Sequence, residues 1–126
     1  MTEPMSNADI AVAFLRLASS GSAREAWQRY GATDLIHHNP HLRGDAETLI
    51  AAMDENAHEN PDKVFEVRRT ITEGPMVAVH SRVQLRPDAP SSVTVHIFRI
   101  EDGRIRELWD VGQEIPADSP NEHGVF

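Results

Sequence analysis

Residues 93–111 read VTVHIFRIEDGRIRELWDV, and this stretch decides the fold. We read Val93–Ile100 and Arg104–Val111 as two β-strands. Between the two runs, Glu101-Asp102-Gly103 supplies a glycine where a short hairpin loop needs a left-handed residue. We therefore predict two antiparallel strands joined by a three-residue loop.

Two further strands are predicted before this hairpin. Apolar and polar residues alternate over Phe65–Ile71 until Gly74-Pro75 interrupts the run. The same period returns over Val77–Leu85 and ends at Pro87. The four strands follow one another with short connections, which favours an antiparallel meander.

The N-terminal part of the chain shows the helical period of about 3.6 residues instead. Ser6, with Asp9 three residues later, is a capping-box pattern, and it begins a helix that ends at Gly21. Ser22 begins a second, shorter helix with the same pattern. Gly31 stands where a left-handed residue commonly ends a helix, so we predict that the second helix ends there.

A turn-forming segment and a third helix follow. The stretch from Asp34 to Arg43 contains His-His-Asn-Pro-His, and a proline pushes the residue before it away from helical angles. We predict extended chain and a turn here, with side chains free to point inward. Asp45 can cap the third helix, which ends at Asn60-Pro61.

Helices thus come first along the chain, and the meander comes last. This segregation predicts an α+β fold in which helices cover one face of the sheet. At 126 residues the chain has the usual length of one domain, so we expect a single domain over residues 1–126.

Composition and charge restrict the class of partner. The formal net charge is -8, which disfavours binding to the phosphate backbone of a nucleic acid. No apolar run reaches the roughly 20 residues of a membrane span, and the polar start Met1-Thr2-Glu3-Pro4 lacks the pattern of a secretory leader. Without cysteine there is no thiolate nucleophile, disulfide or cysteine-type zinc site. We expect a cytoplasmic protein that binds neither membranes nor nucleic acids.

Several short phrases occur in an order that is typical of one family. They are His38-Asn39-Pro40, Glu73-Gly74 before Val77-Ala78-Val79-His80, Ile97-Phe98-Arg99 before Asp102-Gly103, and Trp109-Asp110. Further matching positions are Ile105, Glu107, Gln113, Pro116, Ser119, Asn121 and Phe126. Together these residues resemble the SnoaL-like, polyketide-cyclase-related branch of the NTF2-like superfamily. The resemblance runs from about Tyr30 to the C-terminus.

This resemblance implies a cone-shaped domain with three N-terminal helices packed on a strongly curved antiparallel sheet. It also implies an apolar pocket between sheet and helices, and a homodimer formed through the outer face of the sheet. Relatives of this kind include polyketide cyclases, a ketosteroid isomerase, an epoxide hydrolase and a dehydratase, alongside members without catalytic activity. Because one fold carries so many activities, the residues of the pocket have to decide the function.

His96 and Asp110 are expected to share one face of the sheet. A three-residue loop would place His96 opposite Leu108 and Thr94 opposite Asp110, so that His96 and Asp110 become diagonal neighbours. A carboxylate in an apolar pocket resists ionisation and a nearby histidine favours it, and this opposition tunes acid/base groups near neutral pH. The family resemblance implies the same acid/base role for Asp110, with His96 beside it. The structural alternatives are a carboxylate satisfied by backbone or arginine, and a histidine packed in the core or dimer face.

Three polar residues elsewhere could complete the site. His80 is the third candidate catalytic residue, and it could face either the pocket or the dimer interface. His38 and Asn39 are candidate substrate-binding residues that could orient a water or a substrate carbonyl. Alternatively, they stabilise the turn before Pro40.

Apolar and aromatic residues are candidates for lining the pocket. The substrate-binding candidates of this kind are Trp27, Phe98, Leu108 and Trp109. Their structural alternative is packing in the hydrophobic core, which is the commoner role of aromatic side chains. Many SnoaL-like proteins carry histidine where this chain has Leu108, and aspartate where it has His96, so the expected pocket face departs from the common pattern.

The number of histidines raises the question of a metal site. The histidines in question are His37, His38, His41, His80 and His96. Their spacing matches no zinc helix or finger, and adjacent histidines on an extended chain point to opposite sides. No metal and no cofactor is therefore expected.

Two functions of different classes remain open. The first is a cofactor-independent acid/base enzyme for aldol cyclisation, isomerisation or related lyase chemistry, acting on a hydrophobic carbonyl-bearing molecule with Asp110, His96 and His80. The second is a non-catalytic ligand-binding or dimerisation module, which the apolar Leu108 favours. An enzyme needs Asp110 and His96 within hydrogen-bond or one-water reach inside a concave cavity.

Overall fold

A computed structural model describes residues 5–126, so the polar start Met1–Pro4 lies outside the described residues. The elements along the chain are α1 (Asn7–Ser19), α2 (Ala23–Tyr30), β1 (Gly31–His37), α3 (Ala46–Glu59), β2 (Val64–Glu73), β3 (Met76–Gln84), β4 (Ser92–Glu101) and β5 (Arg104–Glu114). Three helices pack on one five-stranded, curved and unclosed sheet, which confirms the predicted α+β fold. Within residues 5–126, none of the helices has the length and hydropathy needed to cross a bilayer.

The first and third helices begin as their sequences predict. The backbone N–H of Asp9 donates to Ser6 Oγ at 3.1 Å, and the N–H of Ser6 donates back to the Asp9 carboxylate at 3.3 Å. Asp45 accepts from the N–H of Thr48 at 2.9 Å at the start of α3. These side chains satisfy backbone donors that have no partner inside the helix.

Both ends of α2 differ from the prediction. Ser22 makes no side-chain cap; instead the N–H of Ala23 donates to Asp54 Oδ1 of α3 at 2.9 Å, so the cap comes from a neighbouring helix. Gly31 is extended, with φ -96° and ψ 150°, and it begins β1 directly. A Cβ at this position would lie 2.5 Å from Trp27 Cδ1. The glycine is therefore required by close packing rather than by a left-handed helix end.

A strand that was not predicted as such completes the sheet. The strand order is β1-β5-β4-β3-β2, in which β2 to β5 form the predicted antiparallel meander. β1 adds to the edge of β5 in parallel, with His37 opposite Leu108. The sequence indicated extended chain in this region but carried no sign of its partner, because the two strands are far apart along the chain.

The hairpin between β4 and β5 has a tighter turn than predicted. Only Asp102 and Gly103 lie outside the ladder, with φ 53° and 73°, and Glu101 pairs with Arg104. Two successive left-handed residues form the type I′ turn that suits the twist of a hairpin. A register shift then occurs at Ile100. The expected three-residue loop and its pairing are wrong, and the shift changes which side chains face each other farther along the strands.

The hydrophobic core lies between the helices and the inner face of the sheet. Phe14 of α1 meets Phe98 of β4 edge to face, with ring centroids 6.0 Å apart and planes at 74°. Other side chains that are almost completely buried include Leu35, Ile50, Val77, Val79, Ile105 and Leu108. The core therefore lies between the two layers and fixes which face of each strand points inward.

Candidate functional site

His96 and Asp110 face each other directly across β4 and β5. The register shift at the hairpin removes the diagonal offset that the sequence predicted, but the two side chains share a face as expected. This is the inner face, because His96 also stands opposite the fully buried Val79 of β3. Directly opposed residues in an antiparallel pair have Cα atoms about 4.5–5.5 Å apart, close enough for their side chains to interact.

A cleft of about 610 Å³ opens over this pair. We call it the Asp110 cleft; its lining includes Asn39, His41, Thr94, His96, Asp110 and Gly112. Its volume lies within the usual range of small-molecule sites, which is roughly 300–1,000 Å³. The polar side chains of Asn39, Thr94 and His96 line this cleft together with Asp110.

Asn39 holds the Asp110 carboxylate in place. Its side-chain Nδ2 donates to Asp110 Oδ2 at 3.0 Å. The same side chain accepts from the backbone N–H of His41 at 2.9 Å, and the N–H of Asn39 donates to His37 Nδ1 at 3.2 Å. Asn39 therefore stabilises the turn, which is one of the two roles considered for it, and it also points its amide at the candidate catalytic carboxylate.

His96 is kept neutral by its surroundings. Burial lowers the pKa of His96 to about 4, while the Asp110 charge raises this pKa and the Lys63 charge lowers it. The Nδ1 atom is buried without a hydrogen-bond partner among the described residues. A neutral imidazole has one N–H donor and one lone pair, so His96 can offer a hydrogen bond to a ligand without carrying charge.

A second cleft of about 230 Å³ adjoins the first at Thr94 and His96, which line both. We call it the Lys63 cleft, because Lys63 lines it together with the polar residues Asn56 and Ser19, which do not line the Asp110 cleft. The rest of its wall is mainly apolar and includes Leu15, Met53, Phe65, Val83 and Leu85. The side chain of Thr94 is another buried polar group without a partner in residues 5–126.

Three predicted pocket residues are part of the packing instead. Phe98 and Leu108 lie on the inner face next to the His96–Asp110 pair, but they are 0% and 1% exposed and belong to the core. Trp27 donates from Nε1 to the carbonyl of Ala32 at 2.8 Å. It lines a different cleft, of about 530 Å³, near Arg104 and Arg106. The structure does not bring Trp27 to the Asp110 cleft.

The outer face of the sheet holds three more of the predicted site residues. Trp109 points away from the core because side chains alternate along β5, and His38 stacks on it with centroids 5.0 Å apart. His38 Nε2 is 2.6 Å from the Glu107 carboxylate. His80 lies on the same outer face and contacts Arg69. The assignments of His80, His38 and Trp109 to the pocket are therefore corrected.

The histidines do not converge on one point. His37 is buried with Nε2 at 2.5 Å from the Arg43 carbonyl, whereas His38 and His80 lie on the outer face and His96 on the inner one. Across residues 5–126, no three histidine or carboxylate side chains are grouped as metal ligands.

Lys63 is the residue that the sequence analysis missed. It is the only lysine among 12 basic residues, and this imbalance was the one signal available from the sequence. Its position between α3 and β2 gave no reason to place it against His96. Only the packing of the helices on the sheet brings the two residues to one cleft.

The family model for the SnoaL-like domain matches residues 11–108 of the chain. The chain belongs to the SnoaL-like family. This SnoaL-like match includes His96 and Asn39 but ends two residues before Asp110. No curated protein matches the sequence.

Solved structures with the same fold are distant in sequence. IdmH from Streptomyces antibioticus, a candidate polyketide cyclase, has a TM-score of 0.70 and 20% identity, over 86% of this chain and 93% of IdmH. AclR from Streptomyces galilaeus, a candidate hydroxylase, has a TM-score of 0.71 and 18% identity, over 85% and 88%. An NTF2-like protein of unknown function from Cytophaga hutchinsonii has a TM-score of 0.71 and 15% identity, over 90% and 95%. At these identities the likeness establishes the NTF2-like fold of this SnoaL-like chain.

Proposed function

We propose that this SnoaL-like protein is a cofactor-independent acid/base enzyme acting on a hydrophobic, carbonyl-bearing small molecule. The observation that carries the proposal is the direct pairing of Asp110 with a neutral His96 in one ligand-sized cleft. Asn39 adds the positioning hydrogen bond that a proton-transfer group requires.

The chemistry begins at the Asp110 carboxylate. Asn39 holds Oδ2, which leaves the other carboxylate oxygen to take a proton from the carbon next to a substrate carbonyl. Electrons of the broken C–H bond move toward the carbonyl oxygen, and the N–H of neutral His96 can stabilise the resulting enolate by a hydrogen bond. The enolate carbon then attacks a second carbonyl of the same molecule, and the oxygen of that carbonyl takes the proton back from Asp110. Alternatively, in an enolate conjugated with a C=C bond, Asp110 returns the proton to the far carbon of the conjugated system. The first outcome is an aldol cyclisation and the second an isomerisation.

The lining of the two clefts supports a substrate with polar and apolar parts. Polar atoms are concentrated around Asp110 and His96, while the adjoining Lys63 cleft presents mainly hydrocarbon. Binding of the apolar part there would hold the reacting carbon near Asp110, and such positioning contributes much of the rate in reactions of this kind. IdmH, a candidate polyketide cyclase of the same fold, is consistent with this chemistry.

Exchange of carbon-bound hydrogen tests the proposal without knowledge of the natural substrate. The purified protein is incubated with β-tetralone in deuterium oxide, and deuterium uptake is followed by mass spectrometry. We expect exchange above the buffer rate, and a loss of roughly a hundredfold or more in Asp110→Asn. His80→Asn is the matched control, since His80 lies on the outer face. Wild-type exchange in Asp110→Asn would overturn the proposal.

The second candidate function is a ligand-binding module without catalysis. It is favoured by Leu108, which is fully buried and adds no polar group beside Asp110. In that case β-tetralone or a similar apolar ketone would bind to the protein, but deuterium uptake would stay at the buffer rate. Binding measured by calorimetry, together with the exchange assay, separates the two functions.

We also propose that the outer face of the sheet forms a homodimer. Ile71 and Val111 lie on this face with 66% and 63% of their surfaces exposed. Large apolar side chains exposed on one face of a sheet mark a candidate protein–protein contact. Sedimentation equilibrium should give a dimer, which Val111→Asp should dissociate. A monomer at all concentrations would contradict this assembly.

A further inference from the structure

The amino group of Lys63 is half-buried and has no opposite charge beside it among the described residues. Its Nζ donates to the side-chain oxygen of Asn56 at 2.6 Å. No carboxylate of residues 5–126 lies within ion-pair distance of it, and burial alone lowers the pKa of Lys63. Asn56 contributes a neutral oxygen, so it orients the ammonium group without neutralising it.

No acidic side chain lines either of the two clefts that Lys63 borders. Besides the Lys63 cleft, Lys63 lines a neighbouring surface cleft together with Arg16 and His58. The titratable residues that line these two clefts with Lys63 are Arg16, His58 and His96, and none of them is a carboxylate. Charges that are withdrawn from water are normally paired, so a half-buried cation that residues 5–126 leave without an ion pair in a cleft is suited to an anion from outside.

The remainder of the Lys63 cleft sets the chemistry of that anion. Apolar side chains from α1, α3, β2 and β3 form most of the wall, including Leu15, Met53 and Phe65. At the junction with the Asp110 cleft, Thr94 Oγ1 and His96 Nδ1 have no hydrogen-bond partner in residues 5–126. A hydrocarbon chain or ring can therefore lie between Lys63 and this junction. A single ammonium group with one neutral neighbour fits a carboxylate, which carries one negative charge.

We propose that Lys63 is the anion-binding residue of a subsite for an apolar carboxylate. The carboxylate of the ligand pairs with Nζ, and its hydrocarbon part extends along the Lys63 cleft toward Thr94 and His96. This inference deepens the proposed function, because it assigns a carboxylate to the substrate at the end far from the reacting carbon. The binding itself needs no turnover and is measured separately.

The single lysine makes a direct test possible. Protein labelled with isotope-enriched lysine gives one lysine side-chain signal by NMR, because Lys63 is the only lysine. Octanoate is the probe, and octanamide, which has the same chain without the charge, is its matched control. We expect the Lys63 signal to shift saturably with octanoate and to respond much less to octanamide. Calorimetry should show that octanoate binds at least roughly tenfold more tightly than octanamide.

Variants of Lys63 then test whether this residue causes the preference for octanoate over octanamide. Lys63→Met should abolish the preference for octanoate while octanamide binding persists, and Lys63→Gln is the second variant if the methionine protein does not fold. Arg29→Met is the matched control, since it removes an equal charge from an exposed residue paired with Glu25. Equal affinity of the two probes for the wild-type protein, or a preference that survives in Lys63→Met, would overturn the proposal.

The two proposals fail in different ways. If deuterium exchange is absent but octanoate is preferred, the enzyme proposal is wrong and the carboxylate subsite stands. If exchange depends on Asp110 but the probes bind equally, the enzyme stands and Lys63 has no part in recognising a carboxylate.

Discussion

The side-chain amide of Asn39 donates a hydrogen bond to Asp110 at 3.0 Å, although the two residues are 71 positions apart in the chain. The amide is itself held by the turn it belongs to, through the backbone N–H of His41. A carboxylate oriented by a rigid turn has a defined direction for its free oxygen. This relationship links the loop after β1 to the chemistry proposed for β5.

Loss of the Asn39 amide should lower activity more than stability. In Asn39→Asp the acceptor for the His41 N–H remains, but the donor to Asp110 is replaced by a second negative charge. We expect deuterium exchange with β-tetralone to fall on the order of tenfold or more, chiefly in kcat, because the carboxylate loses its orientation. Asn39→Ala removes both contacts and should also lose stability, by about 1 kcal/mol. Wild-type exchange in both variants would show that Asn39 serves only the turn.

Acid should destabilise the protein through His96. Its pKa is about 4 in the folded protein and 6.5 when unperturbed, so between these values the unfolded chain binds a proton that the folded protein does not. Stability from neutral His96 is therefore complete above about pH 6.5 and is lost as the pH falls toward about 4, by on the order of 3 kcal/mol. The charges that face this ring are Asp110 and Lys63.

Urea unfolding at several pH values measures this effect. The wild-type protein should lose more stability across this pH range than His96→Gln, in which no group titrates at this position. Parallel curves for the two proteins would contradict the buried neutral state. Titration of the His96 ring signal by NMR gives the same pKa independently.

Adding a methyl group at Gly31 should destabilise the fold. A Cβ there would lie 2.5 Å from Trp27 Cδ1, so the indole or the start of β1 has to move in Gly31→Ala. Overpacking of this kind costs typically about 1–3 kcal/mol. Gly44→Ala is the control, since the nearest atom to its Cβ is the His37 carbonyl oxygen at an ordinary 3.6 Å. Thermal unfolding compares the two variants, and an equal Tm for both would contradict the close approach.

Much of the fold was predictable because its causes are local. The Ser6 and Asp45 caps depend on neighbours within a few positions, and both were correctly read from the sequence. The ends of the four predicted strands lie within three residues of those in the structure. The cap of α2 was not, since its acceptor, Asp54, comes from another helix. The hairpin prediction failed at a single residue, because glycine after aspartate suits a two-residue turn as well as a longer loop.

The candidate site was predictable only in part. The period of two placed His96 and Asp110 on one face of the sheet. The predicted pairing was wrong by two residues along β5, and a displacement of two residues leaves each side chain on the same face. The same alternation puts His80 on the outer face, but the sequence could not tell which face of β3 the helices cover. The complete burial of the neighbouring Val79 shows that the helices cover the opposite face of β3 from His80.

The sequence by itself determined the helices, the strand meander and the pairing of a histidine with an aspartate on one face, since each follows from residue spacing and local backbone preference. Tertiary structure decided that Asn39 reaches Asp110, that β1 joins β5, and that Lys63 lies unpaired beside His96. These features depend on contacts between residues that are distant along the chain. Such contacts are set by how the helices pack on the sheet, and no local pattern encodes them.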